Sequence, residues 1–437
     1  MTSRYIAEYE NSIDSLPGKS LSWLNELRTE AFKQFSDKGF PSLREEEWRY
    51  TNVSAIEKKL FKPQLSTNEI SIVDKAWLDS YRVEGAISLV VINGHFNPLL
   101  SNLENIATAV LITNMADALK QQPELVQKYL NQSVSNDEHS FIAFNTAWFT
   151  DGLFVHIPAN TVLDRPIQLI HVVTDAECLA TSRNIIALDT MAEAKVIETF
   201  VGVDDAYLSA SVTEISIAEN AELNLIKVQT EGNKAFHFGG TYVKQKRDSR
   251  FKHHNFAFGS LLARNDIHTD LDVASECDLN GLYLGVKRQH IDNHTRINHL
   301  QPHAISRQLY KGILDQRARG VFQGRVYVAE DAQKTDSEMN NRNLLLSNDA
   351  EVDTKPQLEI YADDVKCAHG VTIGQLDEKS IFYMQSRCVD EETARNMLTF
   401  AFANEMVAKV KIAGLREMLG EQLLKYFPQE GMDKDWL

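Results

Sequence analysis

Cys367 and His369 stand two positions apart in VKCAHGVTIGQLD, residues 365–377, with Gly370 directly after them. On a strand, residues two apart share a face, so this pair would present a sulfur and an imidazole side by side. That is a two-ligand start for a soft metal such as Fe(II), zinc or the iron of a cluster. A thiolate–imidazole nucleophile is the second chemistry open to the pair, because a protonated imidazole lowers a thiol pKa. No stretch of sequence announces the oxyanion hole or orienting third group that such a nucleophile needs. Two packed side chains account for the same letters.

A second cluster lies in RQHIDNHTRINHLQPHAISRQ, which holds His290, His294, His299 and His303, four of the thirteen histidines. His290 and His294 share strand parity, as do His299 and His303, so each pair is expected on one face. Clustered histidine invites a metal, while neutral imidazoles stacked on a sheet face or an interface explain the pattern equally and are the preferred reading. Asp363 and Asp364 in YADDVKC are a carboxylate pair, expected to solvate a turn rather than ligate. The four cysteines, Cys178, Cys277, Cys367 and Cys388, form no CxxC pair. Any metal chemistry must therefore recruit ligands across the fold or across subunits. Walker A, GxGxxG, HExxH and GxSxG sequences are absent, so no nucleotide-hydrolysis machinery of its own is expected.

The chain has 437 residues, 43% hydrophobic and 24% charged, with a formal net charge of -16. That charge repels polyphosphates, and no segregated basic patch offsets it, which argues against nucleic acid as a partner. No apolar run approaches the length of a membrane span, and MTSRYIAEYENSID has no apolar signal core. The expected location is the cytoplasm, with reduced thiols.

These residues must be positioned by three kinds of segment. Residues 1–140 read as a mainly helical domain. SLSWLNELRTEAFKQFSDKGF places Leu21, Leu24, Leu27 and Phe32 on nearly one face, with Gly39 as the stop before Pro41. Residues 141–372 alternate with period two in short Val-, Ile- and Leu-rich runs such as GLFVHIP, IQLIHVV and ELNLIKVQT. A small residue opens a run at Ala194, Ala221, Ser249, Ser275, Ala304 and Ala332, at gaps of 27, 28, 26, 29 and 28 residues. A repeat of that length holds two strands of five to seven residues and two turns, and stacked copies bury a continuous core. The expected fold class is mainly β, a parallel β-helix with two strands per coil. Antiparallel hairpins would instead use Asn-Gly or Asp-Gly turns at most of their connections; Asn93-Gly94 and Asp151-Gly152 lie at or before the edge of the repeat, and Asn280-Gly281 is the single such pair within it. Residues 373–437 read as helical, with Asp377 and Asp390 as N-caps. In the second helix Ala394, Met397, Leu398 and Ala401 form one apolar stripe, and Phe400, Ala403, Val407 and Val410 another. Burial against the core is the preferred reading for such a helix, and docking to another chain is the alternative.

The stretch KTDSEMNNRNLLLSNDAEVDTKPQLEIYADDVKCAHGVTIGQLDEKSIFYMQSR, residues 334–387, closely resembles the SufD branch of the SufB/SufD family of the SUF iron-sulfur cluster assembly machinery. So do SRQLYKGILDQRARGVFQGRVYV, DNHTRINHLQPH, PSLREEEWRYT and DGLFVHIPANTVLDRPIQL, in collinear order along the chain. The resemblance implies a right-handed parallel β-helix between helical domains, and a noncatalytic scaffold or iron-supply role. It also implies a SufB-like partner subunit, and a SufC-like ABC ATPase carried on the C-terminal helices. His369 would take the family's role in nascent cluster formation at the SufB interface, with Cys367 as a neighbouring thiol. The iron-sulfur cluster would be transient and belong to the complex. FAD in the complex, and a homodimer for the isolated chain, are left open. One departure is Cys388, where the family commonly has Gly after Ser-Arg. Two other classes compete: a β-solenoid enzyme acting on carbohydrate, which would need facing carboxylates and aromatics in the central region, and a purely structural interaction protein whose Cys367–His369 pair is inert.

Overall fold

The computed structural model describes residues 2–64, 73–134 and 139–428. From Leu153–Ile157 to Lys366–Gly374 the chain alternates between two sheets, and each strand pairs in parallel with the strand two further on. Leu223 lies beside Phe251, and Phe251 beside Cys277; on the other sheet His290 lies beside Arg319. The result is a parallel β-solenoid of about eight turns. Period-two alternation sends Leu223, Leu225, Phe251, Leu279 and Phe322 into its core. The opposite parity is also apolar on the second sheet, where Ile226, Val228, Phe256, Leu282 and Ile313 form a covered outer face. Apolar residues on both faces are what a parallel sheet buried on both sides requires.

Most strands run to ten residues, for example Leu208–Ile217 and His290–His299, longer than the five to seven expected. Tight corners leave those residues for the strands. Met191, Asn220, Asp248, Ala274, His303 and Lys334 take left-handed backbone angles, φ between 53° and 65°. Such angles cost a residue with a β-carbon about 1 kcal/mol. A backbone ladder between successive corners offsets that cost: Met191 N donates to Glu219 O at 3.0 Å, Ala274 N to Pro302 O at 3.0 Å and His303 N to Gln333 O at 2.9 Å. Directly after each corner a small side chain is sealed inside: Ala192, Ala221, Ser249, Ser275, Ala304 and Thr335. Glu193 pairs with Glu222 and Ile305 with Asp336, so Ala192 and Thr335 continue this row, in place of the expected Ala194 and Ala332. Ala194 and Ala332 are buried as well, and spacing without pairing does not separate them from the true corner positions.

The sheets begin upstream of residue 141. Ile87–Ile92 pairs in parallel with Ile167–Val173, and Leu111–Asn114 pairs antiparallel with Leu153–Ile157, closing the N-terminal end. Asn93 and Gly94, at φ 51° and 88°, make the turn between Ile87–Ile92 and His95–Phe96. The helix Ser22–Lys38 ends at Gly39, φ 70°. Leu24 on that helix is fully buried, with Leu21 and Leu27 partly so. The helix Ser140–Trp148 is buried on all sides. Its Phe141, Phe144 and Trp148 join Phe35, Trp48 and the sheet residues Phe236 and Phe238 in one aromatic layer.

At the other end the helices Glu391–Val407 and Ala413–Tyr426 fold back onto the outer face of the second sheet. Phe400, Ala403, Met406, Val407 and Val410 pack there with Ile197, Ile226, Phe256 and Leu282. Of the other stripe Ala394 is fully buried, Met397 and Leu398 are half-buried and Ala401 is exposed, so one stripe is core and the other is only partly covered. Lys311 Nζ reaches from the sheet to the Phe402 carbonyl at 3.0 Å. Asp377 caps its helix by accepting from Lys379 N and Ser380 N, and Asp390 by accepting from Thr393 N. Among the described residues no helix is long and apolar enough to cross a membrane.

Candidate functional site

The two last strands end the solenoid without a cap. Lys366–Gly374 pairs only with Asp336–Leu345, and Glu351–Ile360 only with Arg319–Val328, so each presents one edge with no partner among the described strands. Cys367 lies in register with Ser337 and His369 with Met339. Both therefore occupy inner positions of the final turn, side by side on one face as the parity requires. Cys367 is half-buried and packs on the core, whereas His369 is exposed at the rim. Burial pushes the Cys367 thiol up, and a hydrogen bond from the Ser337 backbone partly opposes it. The thiol is thus protonated at neutral pH, and a metal ion that takes this sulfur must displace its proton. Gly370 sits in mid-strand, where a β-carbon would meet only the end of the Asn340 side chain, Oδ1 at 2.8 Å. Among the described residues no three His, Cys, Asp or Glu side chains gather closely enough to hold a metal ion. The pair offers at most two donor side chains, a thiol and an imidazole.

The four histidines disperse. His290 and His294 share the outer face of the first sheet, as parity predicts. His299 points inward, fully buried, with Nε2 2.9 Å from Ser306 Oγ. The strand stops at His299, and His303 forms a left-handed corner, so parity no longer relates the two. His290 and His294 belong to a buried clamp on the N-terminal segment PSLREEEWRYT. His290 Nε2 meets Thr51 Oγ1 at 3.0 Å, and that hydroxyl donates to Asp292 Oδ2 at 2.5 Å. Arg264 lies 3.7 Å from the Trp48 ring centroid, donates to the Glu47 carbonyl at 2.7 Å, and pairs with Asp266 at 3.1 Å and Asp292 at 3.2 Å. Burial raises the Asp266 carboxyl, but Arg264 and His139 outweigh it and hold the group well below the usual carboxylate range. No sequence spacing signals Arg264, because its partner segment lies 217 residues away.

Asp364 pairs with Lys334 at an exposed corner and Asp363 is exposed, the turn-solvating role expected of them. Cys178 and Cys277 are buried thiols, pushed up by burial, Cys178 to about 12. Cys388 is exposed and adopts φ 67°, the left-handed conformation that glycine takes most readily and that the resemblance led one to expect here.

Known families match almost the whole of this architecture. The model described as SUF system FeS cluster assembly, SufBD core domain, matches residues 171–402, and that of the SufBD protein N-terminal region matches residues 1–169. The chain belongs to the SufBD family. It is 32% identical to the iron-sulfur cluster assembly protein SufD of Escherichia coli K12 over 392 residues, 87% of this chain and 88% of that protein. A SufBD family protein of Synechocystis is 33% identical over 392 residues, 87% and 86% of the two chains. A chloroplastic protein of Arabidopsis thaliana is 27% identical over 419 residues, 93% and 87%. The chain is an iron-sulfur cluster assembly protein of the SufBD family, and its solenoid is the matched core domain.

Proposed function

We propose that this SufBD protein is a noncatalytic, SufD-like scaffold that contributes half of a nascent cluster site at its open rim. A SufB-like subunit completes the site, and a SufC-like ATPase docks on the C-terminal helices. The observation that carries the reading is the incomplete ligand set, Cys367 and His369, on a terminal strand whose outer edge is unpaired. An unpaired edge offers backbone donors and acceptors to a second sheet. The helix Glu378–Gln385 supports the docking role: it leaves Phe382 71% and Tyr383 59% exposed, close in sequence to the half-open Met397 and Leu398 stripe. The cluster is cargo in this reading, and the chain alone holds none of it stably.

The test is cluster formation by the complete complex, followed by visible absorbance, with His369→Ala and Cys367→Ser introduced separately. His369→Ala is expected to slow formation about tenfold or more, comparable to the loss of a metal-site residue, with a smaller effect for Cys367→Ser. Unimpaired formation by both variants would return the pair to inert packing and leave a structural interaction protein. A full cluster retained through desalting by the chain alone would overturn the half-site.

A further inference from the structure

We infer that Ser337 is a positioning residue for the sulfur of Cys367: its hydroxyl, polarised from behind by Ser306 and His299, donates a hydrogen bond to that sulfur when it is a metal-bound thiolate. The metal rests on the half-site reading above; the hydrogen bond rests on geometry. Cys367 lies in register with Ser337, and Ser337 with Ser306, on adjacent strands of one sheet. All three share the inward parity, so their side chains stack in one row about 5 Å apart. Cys367 is the last member of that row, with no further strand beyond it among those described.

Ser306 and Ser337 are 0% and 2% exposed, and a buried hydroxyl is costly unless it is bonded. His299 Nε2 lies 2.9 Å from Ser306 Oγ, and Ser306 Oγ donates to Ser337 Oγ at 2.8 Å. His299 Nδ1 is sealed in the core with no partner. A proton there would be a buried donor with nothing to meet, so the bonding pattern assigns the ring proton to Nε2, which donates to Ser306. Each hydroxyl then accepts from the group behind it and directs its own proton forward. The Ser337 proton meets no acceptor among the described residues, and the next side chain in the row is Cys367. The Ser337 backbone faces the same sulfur. A hydroxyl donating to a thiolate makes a charge-assisted bond, and donors in series strengthen one another. Ser337 therefore fixes where the sulfur points and leaves its open side to the metal.

Alkylation of the full chain by iodoacetamide at constant neutral pH, read by mass spectrometry of the labelled peptides, tests the bond without any cluster. Exposed Cys388 in the same sample is the internal control. Ser337→Ala should slow Cys367 labelling about threefold, because the reacting species is the thiolate and one hydrogen bond to it is lost. Ser337→Thr keeps the hydroxyl and should label near the parent rate, while Ser306→Ala, one rung further back, should give a smaller slowing. A serine that only fills space predicts the opposite sign, since its removal loosens the packing and uncovers the thiol. Should Ser337→Ala fold poorly by circular dichroism, Ser306→Ala carries the comparison. Cys367 labelling at or above the parent rate in the folded variant would overturn the inference, whatever the complex does. Slowed labelling in Ser337→Ala together with normal cluster formation by Cys367→Ser would uphold the hydrogen bond and remove the metal from the reading.

Discussion

Cys277, Ser306, Ser337 and Cys367 occupy matching inner positions on four successive rungs of one sheet, so the middle of the solenoid and its rim differ in closure rather than in design. Cys277 is 3% exposed and locked among apolar neighbours. Three rungs later Cys367 has the same orientation but lacks a next rung to cover it. Burial raises both thiols, yet only Cys367 lies where a second chain can reach it. The chemistry available to a position in this fold follows from its distance to the open end. At the opposite end the terminal strands are paired antiparallel, Leu111–Asn114 on one sheet and His95–Phe96 on the other.

The largest effect is expected deep in the closed part. Arg264→Met removes the cation that Asp266 and Asp292 share beneath Trp48, and should cost about 3–5 kcal/mol because it leaves buried carboxylates unpaired; urea unfolding measures it. A loss near zero would show that the clamp relaxes as readily as the rim. Next is acid. Burial lowers His171 to about 3, and His254 and His299 each to about 4, from an ordinary value of 6.5. These rings are neutral in the fold, and the unfolded chain takes up their protons first. Their contribution is in place above about pH 6.5 and is lost as pH falls towards 4, at about 1.4 kcal/mol per pH unit for each ring. His299→Gln should flatten the urea-midpoint profile over that window by one ring's share, and an unchanged profile would show that this ring takes up its proton while folded.

Smaller effects belong to the rim. Ile373, 49% exposed on the last strand, should tolerate Ile373→Lys with a melting temperature close to the parent's, while association with the proposed SufB-like subunit weakens about tenfold. Equal association would place the interface elsewhere. The smallest expectation is a ranking of thiol labelling rates in the native chain: Cys388 fastest, Cys367 slower and accelerating with pH as its disfavoured thiolate forms, and Cys178 and Cys277 only on unfolding. Mass spectrometry of the labelled peptides checks the order, and prompt labelling of Cys277 would mean that the solenoid interior opens.

Period-two alternation and a repeat of 26 to 29 residues were enough to read a two-strand parallel coil, because side-chain parity and chain length per turn are local properties. Helix caps at Asp377 and Asp390 and the stop at Gly39 were legible for the same reason. The shared face of Cys367 and His369 is likewise a matter of spacing on one strand. Register was not local: Ala192 and Thr335 displaced Ala194 and Ala332 only once Glu193 was seen beside Glu222 and Ile305 beside Asp336. His303 left the histidine cluster because a left-handed corner broke the parity. Arg264 and the clamp on Trp48 depended on contacts between segments more than two hundred residues apart. The sequence by itself determined which residues alternate, where helices begin and that a lone Cys-x-His exists. Only the tertiary structure decided that this pair lies on an uncovered last rung while its counterpart Cys277 is sealed, since closure depends on whether another strand stacks above.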